Sequence, residues 1–309
     1  MRNPGLVRGA LVIPFVLGVC RLGLLESEWL ATAQSAQQWE REARGAIELY
    51  FRGANMRDPD AYYGGWNFPH YGVGGNGRIT TSVASREDAQ ELIRKGEPRP
   101  AWKAMEREGW VRTSLDLAEA VLVGPDKVHF KIVWSRHNAS GAAYRSEAGL
   151  WIVTRQDGHW GLQLRSGVPA APAPSAQDAQ EWEREARAAV ELNFRGANTR
   201  DPGAYWRAFN FPLYSIGNSG RITVRAESRE SAQELIRKGE PWPVWKGMEK
   251  EGWTRTSLDL AEPVHVASDR VHFKIVWTRY NTKGEAYQSG AGVWIVTRQD
   301  GRWGVQVQS

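Results

Sequence analysis

The chain has a single cysteine, Cys20, in 309 residues. One thiol cannot form an intrachain disulfide or a multi-thiolate metal site. No stretch reaches the roughly 20 consecutive apolar residues of a membrane-spanning helix. Charge of one sign is also scarce. The 40 Lys and Arg against 35 Asp and Glu leave a formal net charge of +5, with no basic block. That pattern argues for a mixed solvated surface and against a nucleic-acid partner. Histidines number only 6. No HExxH, no GxSxG and no paired metal-ligand spacing occurs, so no metal and no cofactor is implied.

What the chain has is a repeat. Residues 36–166 align with 179–309 at a constant offset of 143, without a gap, and 89 of the 131 aligned positions are identical. The shared runs include "AQELIRKGEP", "TSLDLAE" and "WIVTRQDG". Each unit is far longer than a solenoid repeat of roughly 20–50 residues, and long enough to bury its own core. Residues 36–166 and 179–309 are therefore expected to be two domains. Residues 167–178 join them as a Pro/Ala-rich linker carrying Pro169, Pro172 and Pro174. Tryptophan is abundant at 16 residues, most of them in matched pairs such as Trp102/Trp245, Trp134/Trp277 and Trp151/Trp294. Core packing accounts for most of these.

Residues 1–35 stand outside the repeat. Arg2 and Arg8 precede an apolar run, residues 10–20, and Ala31-Thr32-Ala33 supplies a small-residue cleavage pattern. This reads as a signal or export segment of a periplasmic or secreted protein. The alternative is a cytoplasmic protein with an upstream start.

Within a unit, Trp39, Ala43, Ile47 and Tyr50 recur at helical spacing, with Ser35 and Gln38 as a capping box ahead of them. Asp58-Pro59 and Asp201-Pro202 read as N-cap and first-turn proline of a second helix. The aromatic stretches "YYGGWNFPHYG" and "YWRAFNFPLYS" contain Pro69 and Pro212 and read as bent connectors rather than strands. A short strand at residues 78–82, a helix from Ser85 and another at 102–110 follow. The remainder is a meander of three or four antiparallel strands, with Asp157-Gly158 as a hairpin turn. Helices first and strands after give an α+β class, the helices covering one face of the sheet.

The D-P helix start, the "NFP" connector, the helix carrying "W" and "GW", and the closing "WIVTRQDGxWG" together resemble the nuclear transport factor 2-like (SnoaL-like) superfamily. The resemblance covers nearly all of each unit, and the closing motif is similar to an uncharacterised bacterial branch. It implies two tandem cone-shaped α+β barrel domains, each with N-terminal helices packed on a curved antiparallel sheet around a pocket. Members include ketosteroid isomerases, polyketide cyclases, dehydratases, and non-catalytic binding or dimerisation modules, so the fold alone selects no function. Many members pair through their sheets. A duplication would place that pairing inside one chain as a pseudo-dimer, the alternative being a homo-oligomer.

The main functional expectation is a module that binds a small apolar or aromatic molecule, or that dimerises. Its ligand-binding candidates are Tyr62, Trp66, Tyr71, Trp110 and Arg136 in the first unit, and Tyr205, Tyr214, Trp253 and Arg279 in the second. The arginines suit an anionic group. The alternative is an isomerase, cyclase or dehydratase using His70 or Asp116 as general base. His70 follows the "NFP" connector, and the second unit has Leu213 there. His129 and His272 match between units on the polar face of an alternating strand. A carbohydrate binder is a third reading, on the tryptophans. A phosphate loop at Gly72, Gly74, Gly75 and Gly77 is rejected, because the cluster leads into a strand rather than a helix. The connector shows the densest divergence between units, so the two pockets are expected to differ.

Overall fold

The computed structural model describes residues 22–74, 78–95, 100–169, 174–217, 220–238 and 243–309. The apolar run at residues 10–20 lies outside them. The first unit opens with α1 (Leu22–Met56) and α2 (Pro59–Gly64), followed by β1 (Trp66–Val73) and β2 (Ile79–Val83). Two helices come next, α3 (Arg86–Arg94) and α4 (Pro100–Arg107). The unit closes with β3 (Arg112–Val123), β4 (Lys127–His137), β5 (Ala143–Gln156) and β6 (His159–Pro169). The second unit repeats this order as α5 (Ala176–Asn198), α6 (Pro202–Arg207), β7 (Phe209–Ile216), β8 (Ile222–Ala226), α7 (Arg229–Arg237) and α8 (Pro243–Lys250). It ends with β9 (Trp253–Val266), β10 (Arg270–Asn281), β11 (Ala286–Gln299) and β12 (Arg302–Gln308).

The α+β class and the helix-then-sheet order hold in both units. Three details differ from expectation. The sheet is mixed, in the order β2-β1-β6-β5-β4-β3, with β1 parallel to β6. It is an open six-stranded sheet, since β2 and β3 are its two edges and no closed barrel forms. The aromatic connector is itself a strand. Pairing of β1 with β6 breaks between Trp66 and Tyr71, so Pro69, which has no N–H to donate, sits in a gap of the ladder. The peptide bonds before Pro69 and Pro212 are cis.

The helix starts follow local chemistry. Asp58 and Asp201 cap α2 and α6 through the backbone N–H groups of Ala61 and Ala204, with proline in the first turn. Ser85 caps α3 by accepting from Asp88 N at 3.0 Å. The Ser35 capping box does not form. α1 runs through Ser35 without a break, and Gln38 bonds forward to Glu42 at 2.9 Å. At the junction, β6 takes Gly167 and Val168 into its ladder with β5, so the strand extends into the proline-rich segment.

Strand β5 explains how two cores and an interface share one sheet. Trp151 and Val153 face α1 and join the first unit's core with Ile47, Phe51 and Phe130. Leu150 and Ile152 face the other way. They meet Val293 and Ile295 of β11, with Leu164 and Val307, in a cluster drawn from both units. A strand buried on both sides must be apolar at successive positions, and "LWIV" is. The two sheets therefore pack face to face within one chain, related by the repeat.

The polar contacts of this interface obey the same symmetry. His129 Nε2 lies 2.9 Å from Ser309 Oγ, and His272 Nε2 lies 2.9 Å from Ser166 Oγ. Lys127 donates to Ile216 O at 3.0 Å, and Arg270 donates to Val73 O at 3.1 Å. Arg270 also donates to Gly74 O and is held by Asp269 at 2.7 Å. Close approach shows at Gly220, whose φ is +73° and where a Cβ would come within 2.7 Å of Thr154 in the other unit.

Candidate functional site

Each unit holds a cavity between its long helix and its own sheet. The first measures about 260 Å³ and is walled by Tyr50, Tyr62, Trp102, Trp134, Trp151 and Arg165. The second measures about 320 Å³ and is walled by Asn193, Tyr205, Arg225, Trp245, Trp277 and Trp294. Both stand at the small end of ligand sites, roughly 300–1,000 Å³, which fits molecules of one or two rings.

The wall is built from matched elements. Trp151 stacks on Phe51 of α1 at 5.4 Å with planes 4° apart, and Trp294 stacks on Phe194 of α5 at 5.5 Å. Tyr62 and Tyr205 reach in from the short helices, each meeting an α4 or α8 tryptophan edge-on. Arg136 and Arg279 reach in from the ends of β4 and β10. Arg136 lies 5.2 Å from the Trp134 ring and 3.8 Å from Glu108. Arg279 lies 4.7 Å from the Trp277 ring and donates to Gln288 Oε1 at 2.6 Å.

Arg165 is the innermost charge of the first cavity. It donates to the Tyr50 hydroxyl at 2.6 Å, and Tyr62 in turn donates to that hydroxyl at 3.4 Å. Its guanidinium sits 5.1 Å from the Tyr50 ring and 5.3 Å from the Trp66 ring. Desolvation opposes its charge, but the Tyr50 and Tyr62 hydroxyls outweigh that and hold its pKa above the ordinary value. Among the described residues it forms no ion pair. In the second cavity Arg225 donates to Ser215 Oγ at 2.8 Å. Burial lowers its pKa, with Tyr205 acting in the opposite direction.

Of the residues singled out in the sequence, Tyr62, Arg136, Tyr205 and Arg279 line the cavities. Trp66 is fully buried beneath the wall, stacked on His70 at 3.8 Å. Trp110 and Trp253 are pinned behind it by bonds to Thr113 and Thr256, both 2.9 Å. Tyr71 and Tyr214 pack at the interface between units, and desolvation raises both phenols. His70 is fully buried in the core, where Leu213 stands in the other unit. Asp116 is exposed on β3 and accepts from Ser114 and Ser135 at 2.6 and 2.5 Å. Neither lines a cavity, so His70 and Asp116 are not brought together. Among the described residues no group of three His, Cys, Asp or Glu could hold a metal ion, and no helix is long and apolar enough to cross a membrane.

Sequence reasoning missed Arg165, Arg225, Tyr50 and the wall tryptophans. One signal was available: Arg165 aligns with Gln308 and Arg225 with Ser82, two of the three places inside strands β2, β6, β8 and β12 where an arginine is gained or lost between units, the third being Arg302 against His159.

No family model and no curated protein matches the chain. Solved structures do. An NTF2-like protein with a cystatin-like fold from Novosphingobium aromaticivorans is 17% identical, with a TM-score of 0.37 over 52% of this chain and 97% of its own. A protein with a cystatin-like fold from Nostoc punctiforme is 17% identical, with a TM-score of 0.33 over 44% of this chain and 93% of its own. An NTF-2 like protein from Shewanella oneidensis is 14% identical, with a TM-score of 0.28 over 41% of this chain and 95% of its own. One unit at a time, the chain is similar to nuclear transport factor 2-like proteins. This agrees with the resemblance read from the sequence. It carries no argument about function at these scores, and the topology rests on the strand order and register above.

Proposed function

We propose that each unit is a small-molecule-binding module for a one- or two-ring aromatic or apolar ligand, and that the two units form a pseudo-dimer within the chain. The observation that carries this reading is the matched pair of aromatic-walled cavities, each with tryptophan on several sides and an arginine inside. Dimerisation is satisfied internally, because each unit already buries its outer sheet face against the other. No catalytic role is assigned. The general-base candidates lie outside both cavities, and an acid–base site needs its groups within reach of one substrate.

Intrinsic tryptophan fluorescence tests this. Titration with a panel of monocyclic and bicyclic aromatics should give a saturable change in intensity or wavelength, since three tryptophans line each cavity. Flat emission across the panel would overturn the reading. Export is proposed from the composition of residues 1–35 alone; N-terminal sequencing of the mature protein should begin after Ala33, and an intact Met1 would overturn it.

A further inference from the structure

Each cavity shares a wall with the other unit. In the first unit β1 and β6 run side by side, with Gly72 paired to Arg165 and Val73 to Ser166. Side chains alternate between the two faces along a strand. Gly72, Arg165 and Gly167 line the cavity. Val73 and Ser166, on the next rung, turn to the second unit, where Val73 joins the inter-unit cluster and Ser166 meets His272. In the second unit Ser215 pairs with Gln308, and both line the cavity. Their neighbours Ile216 and Ser309 line it too and carry the contacts to the first unit. One thickness of sheet separates each cavity from the opposite unit.

The ladder along this wall is interrupted. Pairing of β1 with β6 lapses between Trp66 and Tyr71, and pairing of β7 with β12 lapses between Phe209 and Tyr214. What meets the strand ends comes from the other unit. Arg270 of β10 donates to Val73 O at 3.1 Å, to Gly74 O and to Ser166 Oγ at 3.3 Å, and so ties the end of β1 to β6. His272 lies 2.9 Å from the same Ser166 hydroxyl. In the reciprocal direction Lys127 of β4 donates to Ile216 O at 3.0 Å, and His129 lies 2.9 Å from Ser309 Oγ. Lys127 and Arg270 are equivalent positions of the repeat, as are His129 and His272.

Holding two sheets together does not call for these groups. Arg270 and both histidines are fully buried, and apolar side chains of similar volume often join two faces as well as buried charges do. What a cation adds is direction, because it fixes a carbonyl oxygen at hydrogen-bond distance. Fixing Val73 O fixes the adjoining rung of Gly72 and Arg165, since close-packed interiors pass on small displacements. In the second unit the fixed carbonyl belongs to a residue of the wall itself, Ile216.

We propose that each cavity is completed by the other unit, with Arg270 and His272 positioning the wall of the first cavity, and Lys127 and His129 positioning the wall of the second. None of the four lines either cavity, so they are positioning residues and not ligand contacts. This rests on the small-molecule reading above and adds that the pairing of the units is a working part of both sites.

The test is calorimetric titration of the full chain, one cavity at a time, with whichever of phenol, indole and 2-naphthol binds it most tightly. Ala197→Phe obstructs the second cavity and Ala54→Phe the first, since these alanines line them. With the second cavity obstructed, Arg270→Met should weaken binding about tenfold, a size usual for coupling between neighbouring groups. With the first cavity obstructed, the same Arg270→Met should change binding by less than about twofold, as for independent sites, which also shows that the variant is folded. Lys127→Met should give the mirror result. A general loss of stability acts on both cavities alike and does not produce this crossed pattern. Arg270→Lys installs the residue of the first unit, keeps a donor for Val73 O and should recover most of the first cavity's affinity. If Arg270→Met does not fold, Ser166→Ala replaces it with the same expectation, because it removes the hydroxyl that Arg270 and His272 share. Equal effects on the two cavities, or no effect on either, would overturn this inference and leave the cavity reading standing. Binding of none of the three probes to the unaltered chain would overturn both.

Discussion

His129 of the first unit and Ser309 of the second lie 2.9 Å apart, and the repeat maps this pair onto His272 and Ser166, also 2.9 Å apart. The same face of the same strand is used twice, as in an isologous dimer. Both histidines are fully buried. Removing either hydroxyl leaves an imidazole nitrogen without that partner inside the interface. Ser166→Ala and Ser309→Ala are expected to cost about 1 kcal/mol each, read as lower urea midpoints with unchanged slope. A midpoint unmoved in both would show that these contacts carry no stability. Ser166 will weigh more of the two, because it also accepts from Arg270 at 3.3 Å.

The histidines also set a pH dependence. Burial, with Lys127 beside His129 and with His265 and Arg270 beside His272, holds both imidazoles well below the ordinary 6.5. In the folded chain they stay neutral while the unfolded chain takes up protons first. Their contribution is therefore complete above about pH 6.5 and declines as pH falls below it, by up to about 1.4 kcal/mol per unit for each histidine. Unfolding free energies at several pH values between neutral and about pH 5 should trace this slope, and His129→Gln should reduce it, with His159, His265 and His272 supplying the remainder. A flat profile would place these histidines in contact with water.

Arg270 and Lys127 occupy equivalent positions, and the interface tolerates either cation at a carbonyl of the other unit. Burial lowers Lys127 to about 8. Arg270→Lys keeps one donor for Val73 O and is expected to lose about 1 kcal/mol, whereas Arg270→Ala removes the donor shared by two carbonyls and Ser166 and should lose about 3 kcal/mol. Equal losses in the two variants would mean that the carbonyl contacts are immaterial.

His70 separates a core from a catalytic role. Leu213 occupies the equivalent site at 1% exposure, so a leucine of similar volume is accommodated by this backbone. His70→Leu should change stability by less than about 1.5 kcal/mol and leave ligand affinity in the first cavity unchanged. A loss of affinity of tenfold or more would place His70 in the site after all.

The repeat, the α+β class and most elements were legible because each rests on local chemistry: Asp-Pro caps, the period of two in β4, and the Asp157-Gly158 turn at positive φ. Three things were not. The strand at Trp66–Val73 was obscured by Pro69, whose gap in the ladder only the partner strand reveals. The interface was visible only as a polar face carrying His129. On sequence alone that histidine is equally a sheet-surface or an interface residue, although the unbroken "LWIV" of β5 was a sign of burial on both sides. The divergence of the aromatic connector read as a change of pocket and is largely a repacking beneath it. Tyr63 with Trp66, 5.1 Å apart, becomes Trp206 with Phe209, 5.7 Å apart, so the indole moves along the chain while the aromatic pair is kept. The charges that matter most for the site, Arg165 and Arg225, were single residues in unremarked strands. Their place at the cavity walls follows from sheet order, which no periodicity encodes.

The central claim is two separate cavities in one chain of 34.7 kDa, each proposed to hold one small aromatic or apolar molecule. Ala54 and Ala197 line the two cavities at equivalent points of α1 and α5. A phenyl group placed there competes with a ligand for the cavity. The decisive measurement is the number of molecules of one fluorescence-active aromatic from the panel that are bound per chain at saturation, by equilibrium dialysis. The account predicts two for the unaltered chain, one for Ala54→Phe, one for Ala197→Phe and none for the double variant. No binding to the unaltered chain, or undiminished binding to a folded double variant, would contradict it.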